Sequence, residues 1–515
     1  MIVTILFAIL LVMRHLAFSQ KNITESLLET FPGELRFERF EGKYFPYPGC
    51  RIEGLTFRLK GSALNAPPLM TIQKFVVRGS YWDLLVHPHY VSRIALQGLH
   101  VQVPLPSDLG NFPSSETPSR ITVGEVVGNG AVLDVARHDN RPPLKFDFHE
   151  LKLSSVSEKG GMSYAIAMRN PEPPGEVRAS GHLGPFVHDN FGQTLANGKY
   201  ELNRADLSVF RGISGALSSQ GTFSGLLGSL DVEGDTNIPD FEVVRSEHKG
   251  DLSTHFLAHV DATNGDVILN RVDAIYGETR ITASGTVAHK ERMRGKFTSL
   301  DFDVRGGRIE NVLVIFVQGH EHPSPMTGTT TLHAHATVSP EGKPFLKELS
   351  LDGEFDVRHG YFKPKTQASV DTLSERSRGE KNSAQNDDHA LNATLSAKSV
   401  REKGAERADP PNAVPSELQS HVALRGGVAT FDELSFTVPG AKARMHGTYN
   451  LLNQRIDFHG NVKIEANVSQ ATTGIESVFA IVLNPFFKRK HGSVVPVKMD
   501  GTYRNPHFGL DLFRK

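Results

Sequence analysis

The sequence predicts a mainly β protein, a long antiparallel repeating sheet with a few short helices. Three observations predict it. Apolar and polar residues alternate with a period of two over most of the chain, as expected of strands with one dry and one wet face. Glycine-containing turn signals recur between the alternating stretches: Asn129-Gly130, Asn197-Gly198, Asn264-Gly265, Gly306-Gly307 and Glu341-Gly342. Helical periodicity is confined to short segments.

Composition bounds the function. The 515 residues are 39% hydrophobic and 22% charged, enough apolar material for a sizeable core. The 56 Lys and Arg nearly cancel the 57 Asp and Glu, leaving a net charge of −1. No basic excess points to nucleic acid. The single cysteine, Cys50, excludes an intrachain disulfide and any multi-cysteine metal site. An exported chain of this kind depends on packing and hydrogen bonds alone.

At the N-terminus, residues 2–13 are uninterruptedly apolar, followed by Arg14 and His15. The run is shorter than the roughly 20 residues that span a hydrocarbon core. Two readings compete: a signal peptide cleaved near Ala17-Phe18-Ser19, and a retained anchor whose Arg14 snorkels to the interface. Both send the remainder across a membrane.

Residues 24–31 predict a short helix, capped by Thr24, with Leu27, Leu28 and Phe31 on one face and Pro32-Gly33 as its stop. Residues 96–103 alternate but change register: Leu96 and Gly98 share one face, and Leu99, Val101 and Val103 the other. Residues 106–119 read as a linker. Residues 232–238, 329–338 and 349–357 alternate; in the last, Leu349, Leu351, Gly353, Phe355 and Val357 share the dry face. Residues 364–416 are polar and aromatic-poor, an exposed insertion with one helix over 369–378. The clearest strand is 455–468, with Ile456, Phe458, Val462, Ile464 and Val468 on the dry face and Gly460 leaving a gap. Residues 474–490 break the alternation with a helical face. They end in Phe486-Phe487-Lys488-Arg489-Lys490, aromatics beside cations, which suits a membrane interface or a solvated basic tail. Four short phrases echo one another: Gly221-Thr222-Phe223, Gly285-Thr286-Val287, Gly447-Thr448-Tyr449 and Gly501-Thr502-Tyr503. No fixed period links them, so the repeat is a loose β-repeat.

Catalytic and metal chemistry find little support. His320 with His322 and His333 with His335 place imidazoles on one strand face, a spacing that can bind zinc or copper. His333 and His335 fall, however, on the polar face with Thr329, Thr331 and Thr337. His87-Pro88-His89 is weaker, because the proline marks a turn or strand end. There is no HExxH, no P-loop, no GxGxxG spacing and no GxSxG elbow. The expectation is therefore no enzyme, no metal and no cofactor. What remains is an extensive dry sheet face. Either a second sheet covers it as a sandwich, or a curled sheet leaves an apolar trough that suits acyl chains.

A set of phrases, taken in order, resembles the AsmA-like family. At the N-terminal end they are Gly49-Cys50-Arg51-Ile52-Glu53-Gly54-Leu55, Pro67-Pro68-Leu69 and Ile94-Ala95-Leu96-Gln97-Gly98-Leu99. Toward the C-terminus they include Leu424-Arg425-Gly426-Gly427-Val428, Val438-Pro439-Gly440-Ala441, Asn484-Pro485-Phe486-Phe487 and Pro496-Val497-Lys498-Met499-Asp500-Gly501-Thr502. The likeness covers roughly 20–105 and 365–515. It implies an open, curved, taco-like β-groove similar to bridge-like lipid-transfer proteins of the TamB and YhdP type. It also implies a single N-terminal anchor in the inner membrane of a Gram-negative bacterium, a periplasmic bulk, and a part in phospholipid transport and outer-membrane biogenesis.

The organisation expected is an anchor or signal segment over 1–19, an N-terminal AsmA-like segment over 20–105 and a linker over 106–120. A repeating groove over 121–363, the polar insertion over 364–416 and a C-terminal AsmA-like segment over 417–515 follow. Phospholipid acyl chains are expected on Ile456, Phe458, Val462, Ile464, Val468, Leu349, Leu351, Phe355 and Val357. Phe486, Phe487, Lys488, Arg489 and Lys490 are expected to touch membrane or another envelope protein. The competing expectation is a structural or assembly factor that influences outer-membrane protein insertion without carrying lipid.

Overall fold

Long alternating stretches, broken by few helix-forming segments, fold as strands. The protein is described by a computed structural model over residues 18–511. Segments 31–32, 60–66, 88–89, 104–120, 138–141, 158, 188–189, 211, 244–247, 291–292, 294, 314–323, 341–342, 379–412, 465–493 and 503–504 lie outside the described residues. The chain is mainly β. It divides into two compact units, one comprising 1–241, 251–272 and 286–296, the other 242–250, 273–285 and 297–515. Among the described residues no helix is long and apolar enough to cross a membrane. The apolar run 2–13, the imidazoles His320 and His322, Val468 and the stretch Phe486 to Lys490 lie outside the described residues.

The first unit opens with α1 (Gln20–Thr30). It begins earlier than the sequence indicates because Ser19, not Thr24, is its cap: the Asn22 N–H donates to Ser19 Oγ at 3.3 Å. Thr24 instead turns its hydroxyl back to the Gln20 carbonyl at 2.8 Å. Its strands are β1 (Gly33–Arg36), β2 (Arg39–Lys43), β3 (Gly49–Leu59), β4 (Met70–Arg78), β5 (Tyr90–Val103), β6 (Thr122–Asn129), β7 (Ala131–Val135), β8 (Leu144–Ser157), β9 (Gly161–Pro171), β10 (Pro174–Leu183), β11 (Leu195–Asp206), β12 (Ile213–Ser214), β13 (Ala216–Leu226) and β14 (Ser229–Val243). The short helix α2 (Tyr81–Val86) joins β4 to β5. From β8 to β11, and on through β13 and β14, each strand pairs antiparallel with the next. One departure from the expected all-antiparallel order is β5, which pairs parallel with β6 and β7. The stretch read as a linker explains it, since parallel neighbours need a crossover of about a dozen residues or more.

A crease runs across these strands. Gly54, Gly98 and Gly130 have φ of 66°, 63° and 67°, a left-handed conformation that glycine adopts without a Cβ penalty. The registers place Gly54 opposite Gln73, Gln73 opposite Gly98, and Gly98 level with Gly130. Each strand flips its pleat at this row, so apolar residues three apart share one face: Ile52 with Leu55, Ile72 with Phe75, Leu96 with Leu99. The register change expected at Gly98 therefore returns Leu99 and Val101 to the Leu96 side instead of sending them to the opposite one. Helix α1 lays Ile23 and Leu27 on this face, beside Phe18, Cys50, Ile52 and Val77.

Between and beyond these elements run β15 (Lys249–Asp261), β16 (Asp266–Tyr276) and β17 (Thr279–His289). The second unit continues with β18 (Lys296–Arg308), β19 (Met326–Val338), β20 (Leu349–Phe362), β21 (Ser416–Arg425), β22 (Val428–Val438), β23 (Ala441–Asn450), β24 (Arg455–Ile464), β25 (Val494–Thr502) and β26 (Asn505–Leu510). Each pairs antiparallel with the next in chain order. Its helices are α3 (Ile309–Leu313), α4 (Phe345–Glu348) and α5 (Pro364–Arg378).

Three of the glycine pairs read as turns lie elsewhere. Asn197-Gly198 sits inside β11, Asn129-Gly130 is the crease, and Gly306-Gly307 is a bulge in β18, where the register shifts between Val304 and Gly307. Asn264-Gly265 does form a turn, between β15 and β16. Helix α5 opens the polar insertion and is firmly docked. Gln367 is buried and donates to Asp371 Oδ1 (2.8 Å) and the Val414 carbonyl (2.9 Å) while accepting from the Phe362 N–H (2.8 Å). Ser374 Oγ donates to the Pro439 carbonyl at 2.8 Å.

Candidate functional site

The dry face of the second unit is assembled strand by strand through the registers. One row runs Leu300, Ala336, Leu351, Leu424, Ala429, Tyr449, Ile456, Gly501 across β18 to β25. The next row runs Phe302, Ala334, Gly353, Val422, Phe431, Gly447, Phe458, Met499. Tyr449 Oη is the sole side-chain oxygen or nitrogen in either row. At about 4.8 Å per strand spacing the band is roughly 34 Å across its eight strands. Leu300, Phe302, Leu351, Val422, Phe431, Tyr449, Ile456 and Met499 are all half-buried, so solvent still reaches the band.

Helices cover the same face further along the strands. Val357 lies under α3, packed with Ile309 and Met326 and flanked by Val312 and Leu313. Val462 packs with Val370, Val438 and Ala441 beneath α5. Both were expected as acyl contacts; Val357 is buried and Val462 half-buried against helix side chains, and although a helix over 369–378 was expected, its docking on this face was not. Phe355 sits at the boundary, against the α3 cluster and edge-on to Phe431 at 6.3 Å. Phe458 is buried, its ring 5.4 Å from Phe431. Leu349, Leu351, Ile456 and Ile464 remain half-buried. The gap anticipated at Gly460 is filled from the next strand: a Cβ there would meet Met445 Cγ at 2.9 Å.

Glycines on the dry face act as seats for aromatic rings. A Cβ on Gly447 would meet Phe458 Cδ1 at 2.8 Å, which is why the rings of Phe431 and Phe458 can approach across β23. The first unit repeats the device. Its rows Leu153, Tyr164, Gly181, Gly198, Phe223, Val232 and Leu151, Ile166, Ala179, Tyr200, Gly221, Gly234 cross β8 to β14. Tyr164 Oη and Phe223 Cζ lie 2.6 and 3.0 Å from where a Gly198 Cβ would be, and Tyr200 Cε1 lies 2.9 Å from that of Gly221. The phenols report the medium around them. Burial pushes the Tyr164 hydroxyl above its ordinary value. Burial does the same for Tyr200, whose Oη keeps a 3.1 Å hydrogen bond to Ser219. The Gly-Thr phrases seen in the sequence include two of these seats, at Gly221 and Gly447. The signal was present: Gly221 and Gly447 each face an aromatic on the adjoining strand.

The wet face carries cross-strand acid–histidine pairs. Asp301, His335 and Asp352 share a row, with His335 Nδ1 2.7 Å from Asp301. Asp303, His333, Glu354 and His421 form the next. His333 and His335 thus stand on the polar face as expected, with carboxylates as partners. Among the described residues no three His, Cys, Asp or Glu side chains are grouped to hold a metal ion. Buried Cys50 has its thiol pushed up to about 12 by desolvation, opposed by a backbone hydrogen bond from Val77.

No family model, curated protein or solved structure matches the chain.

Proposed function

We propose that the protein is a lipid-handling β-groove protein of the envelope, whose apolar bands hold phospholipid acyl chains. The observation that carries this is the second unit's two-row band, with a single side-chain oxygen across eight strands; ten of its sixteen positions are half-buried and six, Leu424 and Phe458 among them, are buried. An acyl chain requires burial and no directional partner. Each methylene moved from water onto such a surface gains up to about 0.8 kcal/mol. One lipid leaflet contributes about half of a ~30 Å hydrocarbon core, so a band of roughly 34 Å accommodates a whole chain lying across the strands. The ring-over-glycine seats favour this reading, because they keep the floor smooth.

On this reading the protein belongs with the AsmA-like lipid-transfer proteins, anchored in the inner membrane through its N-terminal apolar run, with its bulk in the periplasm. It takes part in phospholipid transport toward the outer membrane, uses no cofactor and catalyses no reaction. A structural or assembly factor is the second reading. Helices α3 and α5 favour it, since they already cover part of the same face with the chain's own side chains.

Mass spectrometry of lipid retained by the full chain after extraction in mild detergent separates the two. Phospholipid in stoichiometric amount is expected. Its absence from protein that is folded by circular dichroism would leave the scaffold reading.

A further inference from the structure

Several large apolar side chains of the first unit stand in solvent, Phe191 and Leu195 among them, and four of these lie together at one end of it. Phe45 is 80% exposed, Trp82 71%, Tyr47 65% and Val86 49%. Phe45 and Tyr47 occupy the connection between β2 and β3, while Trp82 and Val86 lie one helical turn apart on α2. The two connections are fastened together. Tyr81 Oη donates to the Tyr44 carbonyl, and the Gly79 N–H donates to the Pro48 carbonyl at 2.7 Å. Exposing four such side chains in one tip costs solvation free energy with no return inside the fold.

Two further features converge on this tip. Arg78, the last residue of β4, stands directly opposite Arg93 of β5, and a cavity of about 140 Å³ lies against both, floored by Val76 and Ala95. Like charges facing each other across strands are unfavourable without an anion between them. Arg93 reaches Glu125 on its other side at 3.3 Å. The second feature is the place where the chain enters the unit. Phe18 is buried against Gly79, whose Cβ would meet its Cζ at 2.9 Å. The apolar run ends at Met13, five residues before Phe18. Five extended residues reach at most about 18 Å, so that run is tethered to the base of the exposed tip.

We infer that this tip, comprising Phe45, Tyr47, Trp82 and Val86, docks into the interface of the lipid bilayer, with Arg78 and Arg93 taking lipid phosphates. Tryptophan and tyrosine favour the headgroup level because their rings are apolar with one polar edge. Arginine pairs match phosphate oxygens bidentately. The inference is independent of what occupies the apolar bands, since the tip lies beyond the ends of β4 and β5 and uses none of the band residues.

Trp82 is the sole tryptophan of the chain, which makes it a native reporter. The full chain is reconstituted into vesicles of phosphatidylethanolamine and phosphatidylglycerol, some carrying phospholipid brominated near the glycerol end and some near the chain end. Trp82 is expected to lose emission to the shallow bromines more than to the deep ones, and to be shielded from aqueous iodide. The Arg78→Glu, Arg93→Glu double variant is expected to reduce that bromine quenching. Trp82 that stays open to iodide and is untouched by bromine overturns the inference. Shielding from iodide without bromine quenching assigns the tip to a protein contact and overturns it equally. Both results leave the lipid-retention experiment free to succeed or fail by itself.

Discussion

Replacing Gly447 by alanine tests the close approach of β24 and of the Phe458 ring to a dry-face glycine. Gly447 has no left-handed φ, so a side chain meets no backbone-conformation penalty there. The cost is steric alone. A Cβ would meet the Asp457 carbonyl oxygen first, and would sit 2.6 Å from Phe458 Cα and 2.8 Å from its Cδ1, while the Phe458 ring is itself held 5.4 Å from that of Phe431. Neither the β24 backbone nor a ring wedged between strands can move freely, so overpacking of about 1–3 kcal/mol is expected. For a unit of this size that lowers Tm by roughly 2–4 °C per kcal/mol, read by circular dichroism. Gly306 is the control. Its φ is 65° and no atom lies within 4 Å of its would-be Cβ, so Gly306→Ala incurs only the left-handed penalty of roughly 1–2 kcal/mol. Asparagine tolerates that conformation, so Gly306→Asn recovers much of the loss and Gly447→Asn recovers none. Wild-type melting by Gly447→Ala, or equal rescue of both sites by asparagine, would show that no close packing constrains Gly447.

Further expectations follow from burial and charge. Ile52 is 1% exposed in the α1-covered core, so Ile52→Ala should destabilise the first unit by about 2–5 kcal/mol in urea titration. Leu351→Ala, on the half-open band, should cost less than that while reducing retained lipid. The Cys50 thiol, pushed up to about 12, should resist maleimide at pH 8 in the folded chain and react on unfolding. His459 is held above its ordinary value by its hydrogen bond to Asp511 (2.9 Å), with Asp457 adding to the effect. A raised folded-state pKa stabilises fully below the unfolded value near 6.5 and loses that contribution as pH rises through the folded value. The Tm difference between wild type and His459→Gln should therefore shrink from pH 5.5 to pH 8.5.

Alternation was the most legible property, because a period of two needs no tertiary knowledge. It located β19, β20 and β24 and placed His333 and His335 on the wet face. Where glycine carried several meanings the sequence misled. Gly130, Gly198 and Gly306 resemble turn glycines, yet they are a crease, a ring seat and a bulge, and only the pairing register separates these roles. The crease explains Leu96 and Leu99 in the same way: three-residue spacing is a reversal on an ideal strand and a continuation across a left-handed glycine. The cover over Val357 and Val462 was not legible, since Ile309 and Val370 sit in helices with no partner evident from sequence. The exposed tip was equally hidden, because Phe45, Tyr47 and Trp82 look like ordinary core aromatics until their connections are placed.

Whether the second unit's apolar band meets hydrocarbon is read by site-specific photocrosslinking in cells, with a benzophenone side chain placed at Phe302, Phe431 or Met499 and, on the wet face, at Asp303 or Glu354. Phospholipid adducts are expected from the first three positions and none from the last two. Adducts only to protein from the band, or equal lipid labelling of both faces, would contradict contact between the band and hydrocarbon.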